Sequence, residues 1–451
     1  MKEVRQAVKT FSLRKKIMRL SLPAIFEMIS GTIVWVADTA MIGRLSAEAL
    51  NAVGLGGQLA FNVTYIFGTL GDGVLAMVSR YIGGGDKKRA NYVSEQALIM
   101  SACLGIILTI IYFFGAEWIF GLLTDDPEVI VIGTKYMKIL AFAVTFMVPT
   151  YVVNCALRGA GNAVVPMLSA AIGNFLNIVG DYAFIFGNFG FPRMEVEGAA
   201  LATTISQIVA AVITLGYAGS GRAYVTINFN KLAFLDLKLM RGLFSLSLPS
   251  FLEELSFGAS RMLSSIWINR LGTMAFAAHQ VAVTGESLSF MPGYGFSVAA
   301  SAIVGQSLGA KEEKVAEKAA WEAARLSAIL MGMTAVLFFL VPEKITGVFT
   351  NIPEVRVLAA RCLKIGALEQ VSIAYSMTLA GALRGAGDTR GPFQVTLISL
   401  WLVRIPLIFL VIFVFKASLE FVWVTTVLQF FIEAVLMGRR FKKGEWKKIT
   451  I

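Results

Sequence analysis

Two aspartates stand inside otherwise apolar runs in the first half of the chain, Asp38 in GTIVWVADTAMIG and Asp181 in NFLNIVGDYAFIF. A carboxylate surrounded by hydrocarbon is costly, so one kept there is a candidate for binding something. If each run is a helix, Asp38 lies roughly 27 Å along the one that starts near residue 20, and Asp181 about 25 Å along the one that starts near 164. Thr203 is about 10 Å into its own run from the opposite end, and Tyr136 about 9 Å into its run, so four polar side chains share one level. Asn177 sits one turn from Asp181 on the same helix face. Two carboxylates with hydroxyl and amide neighbours at one depth can share a proton, or can supply oxygen ligands to Na+.

The second half carries its own ionisable set. Glu253 and Glu254 fall in one apolar run, Glu286 in the next and Glu369 in a third, with Arg261 and Arg404 in runs of the same half. Glu286 and Glu369 come out about 16 and 20 Å from the ends of their helices, close to mid-depth. Carboxylates at that level can attract a cationic compound or form a second cation site, or can be held as fixed pairs by the arginines. His279, the one histidine of the chain, reads as packed rather than as a proton relay. Met28, Met41, Phe61, Met147, Phe290 and Phe296 are side chains of the adaptable kind that lines a promiscuous cavity, although core or lipid contact suits any one of them as well.

The elements that must position these groups are set by composition. With 57% hydrophobic and 15% charged residues over 451, and a mean hydropathy of +0.72, the chain has more apolar surface than one water-soluble core can hide. Twelve apolar stretches between residues 20 and 438 each approach or exceed the about 20 residues that a helix needs to cross hydrocarbon. Runs such as 99–114 are continuously apolar rather than alternating, which favours helices over barrel strands. The expected fold is therefore an all-α integral membrane protein with twelve transmembrane helices. Most of the 40 Lys and Arg fall on the side that holds both termini and the even-numbered connections, so both termini are expected in the cytoplasm. That asymmetry accounts for the net charge of +11 without nucleic acid as a partner. The three cysteines lie in apolar stretches without metal spacing, and no hydrolase, zinc-protease or nucleotide-loop motif occurs; neither a cofactor nor a resident catalytic metal is expected.

The chain also repeats itself at one constant offset. Pro23 recurs as Pro249, Glu27 as Glu253, Gly83 as Gly309, Pro127 as Pro353, and LRGAG at 157–161 as LRGAG at 383–387. Two such halves read in the same order are a parallel repeat, a build common among secondary transporters. The expected domains are a cytoplasmic N-terminal segment (1–19), an N-lobe of helices 1–6 (20–218), a cytoplasmic connector (219–242), a C-lobe of helices 7–12 (243–438) and a basic tail (439–451). The offset carries Asp38, Asn177 and Asp181 onto Ser264, Val403 and Leu407. A purely architectural need would keep both copies, so the asymmetry points to function.

LRGAGDTRGP at 383–392, LRGAGNAVVP at 157–166, AAHQVA at 277–282, ESLSFMPGYGFSVAASAIVGQ at 286–306 and ADTAMIG at 37–43 resemble multidrug and toxic compound extrusion (MATE) transporters over essentially the whole chain. The resemblance implies two six-helix lobes around a central cavity that opens alternately to each side, and export of organic, often cationic, compounds in exchange for H+ or Na+. It implies that Asp38, Asn177, Asp181, Tyr136 and Thr203 form the cation-linked network, with Na+ at Asp38 and Asp181 if Na+ is the ion. Glu286, Glu369, Glu253 and Glu254 are the candidates for a substrate or second cation site. The expected setting is the inner (plasma) membrane, with lipids and small amphipathic molecules as partners and the chain as a monomer. The competing readings are a flippase of lipid-linked precursors on the same plan, for which more buried basic residues are expected, and a membrane receptor or enzyme, disfavoured by the duplication and by the missing catalytic constellation.

Overall fold

The computed structural model describes residues 2–229 and 235–450, the first ten of these as backbone only, so the middle of the 219–242 connector lies outside the described residues. Sixteen α-helices and no strand occur among the described residues. The first half holds α1 (Lys2–Ile42), α2 (Ala47–Gly68), α3 (Leu70–Gly83), α4 (Lys87–Leu123), α5 (Pro127–Gly159), α6 (Val164–Phe186) and α7 (Glu195–Gly219). The second holds α8 (Leu237–Asn269), α9 (Thr273–Gly309), α10 (Glu313–Leu340), α11 (Pro342–Thr346), α12 (Pro353–Gly366), α13 (Gln370–Gly385), α14 (Arg390–Leu397), α15 (Ile405–Phe409) and α16 (Leu419–Lys443). Helices occupy all twelve apolar stretches, and ten of the resulting segments are individually long and apolar enough to cross a membrane. The stretch covered by α8 carries Glu253, Glu254 and Arg261, and the stretch covered by α12 and α13 is broken by a 3-10 turn at Ala367–Glu369.

The repeated residues mark repeated structural roles. Pro23 and Pro249 both lie inside long helices, where the missing N–H leaves a carbonyl of the preceding turn unbonded. Pro127 and Pro353 are both first residues of their helices, the position where a proline costs nothing because that N–H has no helical partner. The two LRGAG turns end α5 and α13 with Gly161 and Gly387 at φ of 91° and 92°, a conformation that strains any residue with a β-carbon. In both turns the next N–H reaches back to the leucine carbonyl, from Asn162 to Leu157 and from Asp388 to Leu383, each at 2.9 Å. The preceding glycines are equally constrained: a side chain on Gly159 would strike the backbone oxygen of Leu75, and one on Gly385 that of Ser301, its repeat-related counterpart. Sequence identity between halves is thus retained where backbone geometry demands it.

The chain forms two compact units, one of Phe26–Ser247 and one of residues up to Ile25 with Leu248–Ile451. The first unit is cored by Tyr112, Phe120, Tyr136, Met137 and Leu140, where α2, α4 and α5 meet. Its connector is held on α4: the N–H groups of Thr226, Asn228 and Asp236 donate to the side chains of Asn91, Glu95 and Gln96, each at 2.9 Å. Asp236 in turn accepts from the Leu239 N–H at 2.9 Å and opens α8; that bond holds its carboxyl below the usual range. The second unit packs α9 against α10, α12 and α13 around Met331, Ile373 and Phe430, with a further core of Ile268, Ile408 and Trp423. Large apolar side chains remain outside both cores, Phe114, Trp118, Val212 and Leu402 each more than 60% exposed, as a hydrocarbon surround requires.

Candidate functional site

In the unit Phe26–Ser247 the five residues singled out by depth converge. Asp181 on α6 is fully buried, and its carboxyl lies within hydrogen-bonding reach of that of Asp38 on α1. Among the described residues no donor reaches either oxygen of Asp181. The orientation of the Asn177 amide follows from its neighbours. The Thr203 backbone N–H can only donate, so the Asn177 carbonyl oxygen faces it at 3.2 Å and accepts the Thr203 hydroxyl at 3.2 Å as well; the Asn177 NH2 then donates to Asp38 Oδ1 at 3.3 Å. Tyr136 on α5 is buried against Gly56, within electrostatic range of both carboxylates. One turn further along α6, Asn174 donates to Ser30 on α1 at 2.9 Å, extending the seam between these two helices.

The second unit divides its carboxylates among three environments. Glu286 on α9 and Glu369, on the 3-10 turn before α13, face each other, with Glu369 wholly buried. Gln370 donates from Nε2 to Glu286 Oε1 at 3.0 Å and to the Gly366 carbonyl at 3.2 Å. The Arg404 guanidinium lies within electrostatic range of both. Glu253 is elsewhere: its carboxylate pairs with Arg384 at 2.8 Å and accepts from the Thr396 hydroxyl at 2.9 Å. Glu254, the next residue on α8, points about 100° away around the helix and is only half-buried. Arg261 lies on the exposed side of α8 over the Phe257 ring, 5.8 Å from its centroid. His279 packs edge-on against Trp423 at 5.9 Å.

Glu253 has its repeat-related counterpart in Glu27, which takes both oxygens to Arg158 at 2.7 Å, and Arg158 and Arg384 are themselves repeat-related. This duplicated ion pair ties the seventh stretch to the tenth as it ties the first to the fourth, so it is built into the architecture. A buried carboxylate outside these groups escaped the reading of the sequence. Glu433 on α16 accepts hydrogen bonds from Ser376, Ser399 and Gln429, all at 2.7 Å. The signal was present, an acidic residue inside an apolar stretch.

Comparisons with known proteins identify the family. The family model MatE matches twice, at residues 23–183 and 249–410, each match opening on one of the repeated prolines. The chain belongs to the MATE family of multidrug efflux transporters. It is 31% identical to the probable multidrug resistance protein NorM of Thermotoga maritima over 97% of this chain and 94% of that one. It is 28% identical to the multidrug resistance protein MdtK of Yersinia pseudotuberculosis over 87% and 86%. Among solved structures, the outward-facing form of a MATE family multidrug resistance transporter superposes with a TM-score of 0.88 at 24% identity, 97% of each chain being covered. A MOP superfamily transporter from Pyrococcus furiosus gives 0.89 at 23% identity, again over 97% of each chain. These relatives are transporters and not enzymes.

Proposed function

We propose that the protein is a cation-coupled antiporter that exports amphipathic, cationic organic compounds by alternating access, with Asp38 and Asp181 carrying the coupling ion. The observation that supports this reading is the asymmetry of the buried carboxyl pair. Two acids lie side by side without a neighbouring arginine or lysine among the described residues, at positions where the other half has Ser264 and Leu407. Two carboxylates in low dielectric repel, so the pair takes up a cation from outside the protein. A proton shared between the two acids satisfies the Asp181 oxygens directly. Na+ has oxygen ligands in the same place: both carboxylates, the Asn177 carbonyl, the Thr203 hydroxyl and Tyr136. Asn177 and Thr203 hold the Asp38 carboxyl in position in either case.

The Glu286–Glu369 pair, with Arg404 beside it, supports a second site for a cationic substrate or a second coupling cation. Glu253 and Glu254 are not part of that pair; Glu253 acts as one end of a fixed ion pair. The setting proposed is the inner membrane, with both termini in the cytoplasm, lipid against the exposed apolar side chains and the chain acting as a monomer. The test is transport by the purified protein in proteoliposomes under an imposed pH gradient, and separately under an imposed Na+ gradient. Uphill movement of ethidium driven by one of the two gradients is expected. Absence of gradient-driven ethidium transport together with flipping of a lipid-linked sugar would replace this reading with the flippase.

A further inference from the structure

Glu433 lies roughly 15 Å from the basic C-terminal end of α16. It is buried, and three donors close on its two oxygens: Ser376 of α13 on Oε1, Ser399 and Gln429 on Oε2, all at 2.7 Å. The chemistry of these donors is informative. Ser399 has a single hydroxyl hydrogen but two acceptors, Glu433 Oε2 and the Thr396 carbonyl at 3.0 Å. With Glu433 ionised, Ser399 donates to the carboxylate. With Glu433 protonated, the acid can donate to Ser399 Oγ while the serine turns its hydrogen to the Thr396 carbonyl. The short contact survives in both states, so the site is satisfied whether or not the proton is present.

The surrounding backbone points the same way. Ser399 and Arg404 stand near the start and at the end of one π-helical segment, Ile398–Arg404, between α14 and α15. π-helical turns inside α-helices are uncommon and concentrate at functional sites. Among the described residues, Glu253 on α8 acts electrostatically on Glu433, and Glu433 acts in turn on Arg404 of this segment. The donors from α13, from the start of the segment and from α16 itself are uncharged. Arg404 is also the cation beside Glu286 and Glu369. One guanidinium therefore lies within electrostatic range of two acidic sites.

We propose that Glu433 is a proton-binding carboxyl of this unit, coupled to the Glu286–Glu369 pair through the shared Arg404. When Glu433 takes a proton, Arg404 is left to the Glu286–Glu369 pair, which then holds its negative charge more readily. When Glu433 loses the proton, it competes for Arg404, and the Glu286–Glu369 pair is more readily neutralised by a proton or a cationic compound. Nothing in the repeat-related half could do this, since the offset carries Glu433, Ser399 and Arg404 onto Gln207, Gly173 and Ile178.

This inference rests on the antiport reading for its role in transport, but not for the proton site itself, which is measurable on the protein alone. The test combines infrared difference spectroscopy of a pH titration with transport in proteoliposomes, both without Na+, on the intact protein and on Glu433→Gln and Ser399→Ala. Gln is close to isosteric with Glu, and the Gln429 carbonyl oxygen has no partner, so the Gln429 amide can turn to accept from the new amide and the fold is kept. The protonated-carboxyl band of the intact protein should lose one titrating component in Glu433→Gln. In Ser399→Ala the same component should remain with a shifted midpoint. Efflux driven by the pH gradient should fall about tenfold in Glu433→Gln. An infrared titration unchanged by Glu433→Gln, or full gradient-driven efflux in that variant, would overturn the proposal. Absence of efflux driven by either a pH gradient or, in separate vesicles, a Na+ gradient in the intact protein, with the Glu433 component still present, would instead overturn the antiport reading and leave the proton site standing.

Discussion

In the unit Phe26–Ser247 the buried acids Asp38 and Asp181 meet between α1 and α6, and the polar atoms around them belong to Asn177, Thr203 and Tyr136, none of them cationic. In the other unit Glu286 and Glu369 also meet, between α9 and the turn that opens α13, but Arg404 stands beside them. Both pairs face the same electrostatic problem, two like charges away from water. The second has a partial answer covalently built in, and the first has none. A pair that lacks a fixed counter-charge must draw a cation from solution at each cycle, which suits a coupling site. A pair that already has an arginine has its affinity set by where that arginine turns, which suits tuning or substrate attraction.

The largest effect that would break this comparison is at the first pair. Asp181→Asn and Asp38→Asn should each abolish gradient-driven efflux in proteoliposomes, leaving residual rates below about one hundredth of the intact protein, with membrane insertion and the elution profile unchanged. A different kind of loss is expected at the duplicated ion pairs. Glu27→Gln and Glu253→Gln should each cost about 3 kcal/mol of stability, read as a lower melting temperature in detergent, because the charge–charge half of a buried carboxylate–guanidinium pair is removed. Neither should change the number of ions moved per drug in the protein that remains folded. Glu369→Gln should come next, with efflux reduced about tenfold and its dependence on the pH gradient retained. Ser264→Ala, at the position related by the repeat to Asp38, should alter efflux by less than about twofold, since the serine hydroxyl only returns to the Ser260 carbonyl at 2.8 Å.

Much of the fold was legible because the bilayer simplifies the problem: long apolar runs must be helices, and prolines and glycines at a constant offset fix their ends. The convergence of the five residues of the first site was also legible, since depth along a helix is a property of position in sequence: four of them share one level and Asn177 lies one turn from Asp181 on the same helix face. What depth could not supply was azimuth. Glu253, Glu254, Glu286 and Glu369 looked like one group, yet adjacent residues on a helix point apart, and Glu253 turned to Arg384 while Glu286 and Glu369 turned to each other. The hydroxyls around Glu433 were beyond reach for a related reason. Ser376, Ser399 and Gln429 come from three separate segments and resemble the many small polar residues that pack membrane helices. The π-helical turn that brings Ser399 and Arg404 into place has no signature in composition.

The most direct measurement is ethidium movement in proteoliposomes containing Asp181→Asn, under an imposed pH gradient and again, in separate vesicles, under an imposed Na+ gradient. Two quantities are read in each case, net accumulation against the drug gradient and downhill exchange. The account predicts that uphill accumulation disappears under whichever gradient drives the intact protein, while ethidium still binds and downhill exchange persists. Accumulation by Asp181→Asn at the level of the intact protein, under the same gradient, would contradict it and would move the coupling site to Glu286 and Glu369.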